Sequence, residues 1–290
     1  MCLITAELVH TLIKPRDREL HKGNCGKVLV IAGSKGMMGA AILAARGALR
    51  SGAGLVRMAL PEELYAVAQV AVPEATCVSR QFTEEELNGY DAIAMGPGLG
   101  TGAESVALVA FVLQNYKGKL VLDADALTIL AAMGEDGAAA VRKMTASEEG
   151  LQLVLTPHPG EAARLLACTT KDIQGDRAAA AQAMAEKYGA AAVLKGAGTR
   201  VTVPGGKAYT NTTGNPGMAT GGSGDVLAGV TASLLAQGLA AEEAAVAAVY
   251  LHGLAGDTMA AVMGEYGLIA GDIAEGVALA IKSVLDTSSF

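Results

Sequence analysis

Asn215–Asp225 reads NPGMATGGSGD, and how this stretch is read decides the fold. Gly221, Gly222, Ser223 and Gly224 leave the backbone nearly bare of side chains, and Asp225 follows at once. Next comes VLAGVTASLLAQG, apolar at helical spacing, so the glycines stand at a helix N-terminus. The first N–H groups of a helix have no intrahelical acceptor, and the helix dipole adds partial positive charge there. Such an end is an anion hole suited to a phosphate or a transferring phosphoryl group. A carboxylate beside it can orient an attacking hydroxyl and take its proton. The plainer reading makes Asp225 an ordinary first-turn acid.

Working outward, short β-rich runs alternate with Ala-rich helical ones. Strands are expected at 27–32 (KVLVIA), 55–60, 92–95, 120–123 (LVLD), 151–155 (LQLVL) and 191–194. A hairpin is expected from 201–203 and 208–210 about Gly205-Gly206, and helices at 40–50, 225–237, 241–261 and 272–285. Strand, loop and helix repeated in this way predict an α/β fold, a mostly parallel central sheet with helices on both faces. No linker or internal repeat divides the 290 residues, so a single domain over 1–290 is expected. In such sheets ligands sit beyond the carboxyl ends of the strands.

Composition narrows the partners. Hydrophobic residues make up 51% and aromatics 3%, so the core is built from Ala, Val, Leu, Ile and Met. A net charge of −7 argues against nucleic acid, whose affinity rests on Lys and Arg. Cys2, Cys25, Cys77 and Cys168 are scattered without metal spacing, consistent with a reduced, cytoplasmic protein. Charges at Lys14–Glu19 follow too early for a signal peptide. Glu242, Glu243, His252 and Asp257 interrupt the late apolar stretch, which predicts no membrane span.

The loops after the strands carry the chemistry. GSKGMMGAA (33–41) opens a helix; it lacks the dinucleotide spacing GxGxxG, and its small residues offer a flat surface or merely a tight turn. GPGLG (96–100) allows close backbone approach, or is a turn. In LDADAL (122–127), Asp125 reads as a helix cap, and Asp123 as a cap or a metal holder through water. Two prolines stiffen TPHPGE (156–161) around His158, which places His158 and Glu161 toward a ligand. Glu161 reads either as a first-turn acid or as a holder of Mg²⁺ through water. Lys195, at the head of KGAGT, suits a phosphate contact or solvent.

Taken together these loops, with YLHGLAGD at Tyr250–Asp257, resemble the ribokinase-like superfamily. Within it they resemble the ADP- or ATP-dependent NAD(P)H-hydrate dehydratases, from HKGNCG at His21–Gly26 to the final helix. LTPHPGE with NPGMATGGSGD separates that family from most sugar kinases of the fold. Ser223 departs mildly, since Thr is common there. Bifunctional members carry an epimerase domain ahead of this one; about twenty residues precede HKG here, so that activity is expected to be absent. The resemblance implies repair of (S)-NADH or (S)-NADPH hydrate, by phosphorylating the ring hydroxyl and eliminating phosphate. It implies Asp225 as the residue that orients the hydroxyl and takes its proton, with Gly222, Ser223 and Gly224 donating N–H groups to the phosphoryl group. The hydrate falls to Ala40 or Ala41, Gly98, His158 and Asp225. The nucleotide falls to Lys195, Gly196, Ala197, Gly198, Thr199 and Gly224. Mg²⁺ bridges the nucleotide phosphates, with Asp123 and Glu161 the candidates to hold it through water. The anion hole is expected to lower the Asp225 pKa below its ordinary value of about 4, making its help mainly positional. Relatives assemble as tetramers.

Two rivals use the same residues. An ATP-dependent kinase of a small alcohol, of the hydroxymethylpyrimidine or hydroxyethylthiazole type, would release a stable phosphoester. A nucleotide sensor would bind without turnover. The features that discriminate the kinase from the dehydratase are the His158 loop and the room needed for a whole dinucleotide rather than one small ring.

Overall fold

The short apolar runs expected as strands at 27–32, 55–60, 92–95, 120–123, 151–155 and 191–194 all form strands, because each is short and largely apolar, and the central ones are buried on both faces. The computed structural model describes residues 2–146 and 151–286. In chain order the strands are β1 (Cys2–Ile4), β2 (Lys27–Ile31), β3 (Leu55–Ala59), β4 (Thr76–Val78) and β5 (Ala92–Met95). They continue with β6 (Lys119–Leu122), β7 (Gln152–Leu155), β8 (Ala191–Leu194), β9 (Arg200–Thr202) and β10 (Ala208–Asn211). All lie in one sheet ordered β1-β10-β9-β8-β7-β6-β5-β2-β3-β4. β2 to β8 pair only in parallel with one another. β9 and β10 form the expected antiparallel hairpin, and β1 closes the far edge. The strand order reverses at the β2/β5 pair, where the chain leaves β2 toward β3 and β4 and returns through β5 to β8.

Alternate residues of the central strands face two cores of different grain. One face carries Val28, Val30, Ala92, Ala94, Val121, Val154 and Val193, under helices Met38–Arg50, Ser223–Ala236, Ala241–Met263 and Ala270–Asp286. The other carries Leu29, Ile31, Ile93, Leu120, Leu122, Leu153 and Leu155, under helices Ala103–Asn115, Ala124–Ala132, Pro159–Leu166 and Arg177–Tyr188. Small residues on the first face let its helices crowd together. Helices Met38–Arg50 and Ser223–Ala236 touch backbone to backbone: a Cβ on Gly229 would fall inside the Ala44 carbonyl, and one on Gly47 inside that of Val226.

That contact sets the height of the Ser223 helix above the sheet. Gly229→Ala forces the two helices apart, and overpacking of this kind costs about 2–3 kcal/mol. The urea midpoint of this variant drops accordingly; an unchanged midpoint would show that the helices separate freely.

Helix Ala241–Met263 is long and apolar enough to cross a membrane by length and composition. Residues Ala244 to Gly253 along it are nevertheless buried in the molecule, and His252 and Asp257 both make internal hydrogen bonds. Its apolar surface is thus largely covered by the rest of the molecule. Two short edge strands, β1 and β4, have no counterpart in that reading, since three-residue strands leave too little periodic signal.

Candidate active site

The loops singled out by sequence converge at the carboxyl ends of adjacent strands. β2 runs into Gly33, β5 into Gly96, β6 into Asp123, β7 into Thr156 and β8 into Lys195. The N-terminus of helix Ser223–Ala236 comes down on this row. A Cβ on Gly224 would lie 3.0 Å from Lys195 Nζ and 3.6 Å from Asp123 Oδ2. Residues about a hundred positions apart thus share one cleft.

Its centre is an ammonium among carboxylates. Lys195 Nζ donates to Asp123 Oδ1 at 2.6 Å and lies 3.9 Å from Glu161 Oε2. Asp123 is 1% exposed, and Glu161 is buried beside it. Burial alone would lower the Lys195 pKa, but Asp123 and then Glu161 outweigh it and hold the ammonium charged. Burial raises the Glu161 pKa against the pull of Lys195. Glu161 also closes a capping box: its Oε2 accepts the His158 N–H at 2.7 Å, and His158 Nδ1 accepts the Gly160 N–H at 3.0 Å.

Above this pair stands the glycine-rich turn. Gly222 is the N-cap of helix Ser223–Ala236 with φ of 91°, a left-handed conformation that glycine adopts freely. A Cβ there would strike Leu43, so the turn is closed to larger residues. The Ser223 N–H makes a long 3.4 Å bond to Thr220 O. Among the described residues, no protein acceptor takes the N–H of Gly222, Gly224 or Asp225. The open donors are therefore Gly222, Gly224 and Asp225 rather than Ser223, a correction to the sequence expectation. Asp225 corrects it further. Burial and the neighbouring Asp123 push its pKa up to about 7, with Asp125 and Glu161 adding and Lys195 opposing. The expected lowering by the anion hole loses to desolvation and three acidic neighbours.

Asp125 is also not the helix cap. The cap position of helix Ala124–Ala132 belongs to Asp123, while Asp125 Oδ2 accepts the Gly100 N–H at 2.8 Å and ties GPGLG to the β6 loop. Between the two acids Ala124 has a φ of 49°, a left-handed non-glycine residue of the strained kind that functional loops tolerate.

Ala40, Gly98 and His158 line the other side. A Cβ on Gly98 would lie 3.0 Å from Ala40 Cβ, so the 33–41 and 96–100 loops touch there. Ala40 is half-buried at this junction, whereas Ala41 is wholly in the core against Gly33. Of the two alanines, only Ala40 is partly exposed. His158 caps its helix through Nδ1 and leaves 52% of its side chain exposed, with Nε2 at 3.3 Å from Glu161 Oε1. Gly196, Ala197 and Gly198 are exposed at the β8–β9 connection; Thr199 Oγ1 donates to Gly196 O at 2.9 Å. Arg177 braces this loop by donating to the carbonyls of Leu194 and Lys195 at 3.1 and 3.2 Å. Arg80 does the same for the 33–41 loop, reaching the carbonyls of Ala32 and Gly33.

Asp123 and Glu161 do not fit as metal ligands, because the point between them is filled by the Lys195 ammonium. Among the described residues, no cluster of three or more His, Cys, Asp or Glu could hold an ion. A divalent cation here would have to arrive with ligands of its own, as on nucleotide phosphates.

The model of the NAD(P)H-hydrate dehydratase family matches residues 28–277, nearly the whole described sheet and all the loops above. The chain belongs to that family. The bifunctional NAD(P)H-hydrate repair enzyme of Moorella thermoacetica is 41% identical over 284 residues, covering 93% of this chain and 52% of that protein. The chain thus spans about half the length of the curated bifunctional relatives it matches. The ADP-dependent (S)-NAD(P)H-hydrate dehydratase of Neisseria meningitidis is 40% identical over 265 residues, covering 91% of this chain and 87% of its own. The ADP/ATP-dependent NAD(P)H-hydrate dehydratase of Bacillus subtilis, co-crystallized with ATP/Mg²⁺, superposes with a TM-score of 0.84 at 31% identity, covering 98% of each chain. A likeness to the ribokinase of Thermotoga maritima, TM-score 0.55 at 16% identity, is one of fold alone and bears out the ribokinase-like architecture.

Three side chains that brace the site, Arg80, Arg177 and His252, have no role in the sequence reading. Arg80 and Arg177 act through backbone carbonyls, which no motif spacing reveals. His252 stood inside a recognised motif, YLHGLAGD, with no role attached.

Proposed function

We propose that this chain dehydrates the S-form of NADH or NADPH hydrate back to NADH or NADPH, using ADP or ATP as phosphoryl donor. The observation that carries this reading is Asp225, poised near neutrality beside three open backbone N–H groups and the Lys195 ammonium. Lys195, Gly196–Thr199 and Gly224 hold the nucleotide, while Ala40, Gly98, His158 and Asp225 hold the hydrate. Mg²⁺, carried by the nucleotide phosphates, supplies charge neutralisation there. In the first step Asp225 takes the proton of the ring hydroxyl as its oxygen bonds the terminal phosphorus, and the bond to AMP (or to ADP, when ATP is donor) breaks. Open N–H groups at the helix end stabilise the charge on the moving phosphoryl group. In the second step the ring nitrogen's lone pair expels phosphate, and loss of a ring proton restores the dihydropyridine. We further place the enzyme in the cytoplasm, as a homotetramer.

Incubating the hydrate with ADP and with ATP, and following the return of dihydronicotinamide absorbance with release of phosphate, tests the reading. A stable phosphoester would support the small-alcohol kinase, and binding without turnover the sensor. The pH profile adds a constraint. With Asp225 at about 7 in the free enzyme, kcat/KM rises roughly tenfold per pH unit below that value and flattens above it. A profile already flat from pH 5 upward would place the base elsewhere.

A further inference from the structure

YLHGLAGD is explained by what its helix touches. Within helix Ala241–Met263, the face from Val249 to Asp257 holds the segment Asn211–Ser223 at almost every step. Asn211 Nδ2 donates to Val249 O at 3.1 Å, and Thr213 Oγ1 to Tyr250 O at 2.8 Å. Gly253 and Gly256 are bare where Thr213 and the Met218 side chain press in; a Cβ at either would collide. Asp257 accepts from Gly214 N at 2.8 Å and from Asn215 Nδ2 at 2.9 Å. At the catalytic end, His252 is 9% exposed, and its Nε2 lies 2.9 Å from the Ser223 carbonyl oxygen and 3.4 Å from Ser223 Oγ. A carbonyl only accepts, so Nε2 carries the hydrogen and the ring donates it. Burial lowers the His252 pKa to about 4, so the ring is neutral at ordinary pH.

We propose that His252 is a positioning residue for phosphoryl transfer: its Nε2–H grips the first carbonyl of the Ser223 helix and so aims the open N–H groups of that turn. The proposal rests on the functional reading above for what is transferred, but not for the grip itself. A shift of an ångström in such donors is enough to cost about a hundredfold in rate. His252 touches neither substrate nor the reacting atoms, and acts only through Ser223.

His252→Leu fills the space without a donor, whereas His252→Gln places an amide N–H near the position of Nε2. Two readouts are taken on each, alongside the parent enzyme. Amide hydrogen exchange of the peptide covering 220–227 is expected to speed up at least tenfold in His252→Leu and to return toward the parent in His252→Gln. Turnover is expected to fall about thirtyfold in kcat for His252→Leu, with nucleotide KM within threefold, and to recover in His252→Gln. Unchanged exchange in 220–227, or equal losses in both variants, overturns the positioning role. If the parent turns over no hydrate, the functional reading falls, and the exchange result still decides the role of His252. A general loss of structure in His252→Leu would appear as faster exchange throughout the sheet; His252→Asn, whose shorter amide falls short of the Ser223 carbonyl, then takes its place beside His252→Gln, and the same outcomes decide.

Discussion

Asp225→Asn is expected to abolish turnover while leaving both ligands bound, and to make the folded protein more stable at pH 8. The loss of activity follows from removing the first-turn carboxylate beside the open N–H groups: general-base help and alignment together contribute on the order of 10³-fold or more. Affinity for nucleotide changes little, since the backbone donors and Lys195 remain. Stability runs the other way. The Asp225 pKa lies at about 7 in the folded protein and near 4 in the unfolded chain. Between those values the folded state binds more protons, so stability falls as pH rises from about 4 to about 7. Above pH 7 the whole penalty is present. Because Asp225 is half-buried, the shift is discounted to about 2 kcal/mol, and the neutral Asn removes it. Thermal melting at pH 5 and pH 8 tests this: the variant gains on the parent at pH 8 and little at pH 5. Equal melting temperatures at both would mean that Asp225 is not desolvated among acids, and turnover above 10% of the parent would remove it as the base.

Lys195→Met is expected to cost more than any other single change at the site. Its ammonium pairs with Asp123, lies near Glu161, and opposes the rise of the Asp225 pKa. Removing one partner of a buried ion pair costs about 3–5 kcal/mol, because the other charge stays desolvated. Burial already raises the Glu161 pKa and Lys195 pulls it down, so without Lys195 a proton on Glu161 relieves the cluster and the variant recovers stability as pH falls toward 5. With Lys195 proposed to meet the nucleotide phosphates, nucleotide KM is expected to rise at least a hundredfold. Adding Asp123→Asn to Lys195→Met restores part of the stability but none of the nucleotide affinity, which separates the two roles by a double-mutant cycle. If Lys195→Met unfolds at the same urea concentration as the parent at pH 8, the ion pair is not what balances this cleft.

Much of this was legible along the chain. The strand runs at 92–95 and 191–194 match the structure at both ends, and the hairpin about Gly205-Gly206 sits where its turn chemistry puts it. Glycines at 222 and 224 announced a helix end with free donors, and Gly222 does adopt a left-handed φ. These features are local: a turn needs a few adjacent residues, a buried strand needs a short apolar run, and both are written in consecutive positions.

Whatever depends on which segments meet could not be read that way. Asp123, Glu161, Lys195 and Asp225 are separated by 102 positions from first to last, and only strand order brings them to one cleft. Once there, Lys195 stands between Asp123 and Glu161, the two acids read as candidates to hold Mg²⁺ through water, and desolvation lifts Asp225 where the helix end alone would have lowered it. Sequence by itself determined the parallel α/β architecture and the donor-rich turn, because backbone geometry responds to neighbours in the chain. The charge state of the site was decided by tertiary structure alone, because a pKa responds to water excluded and charges gathered from every direction.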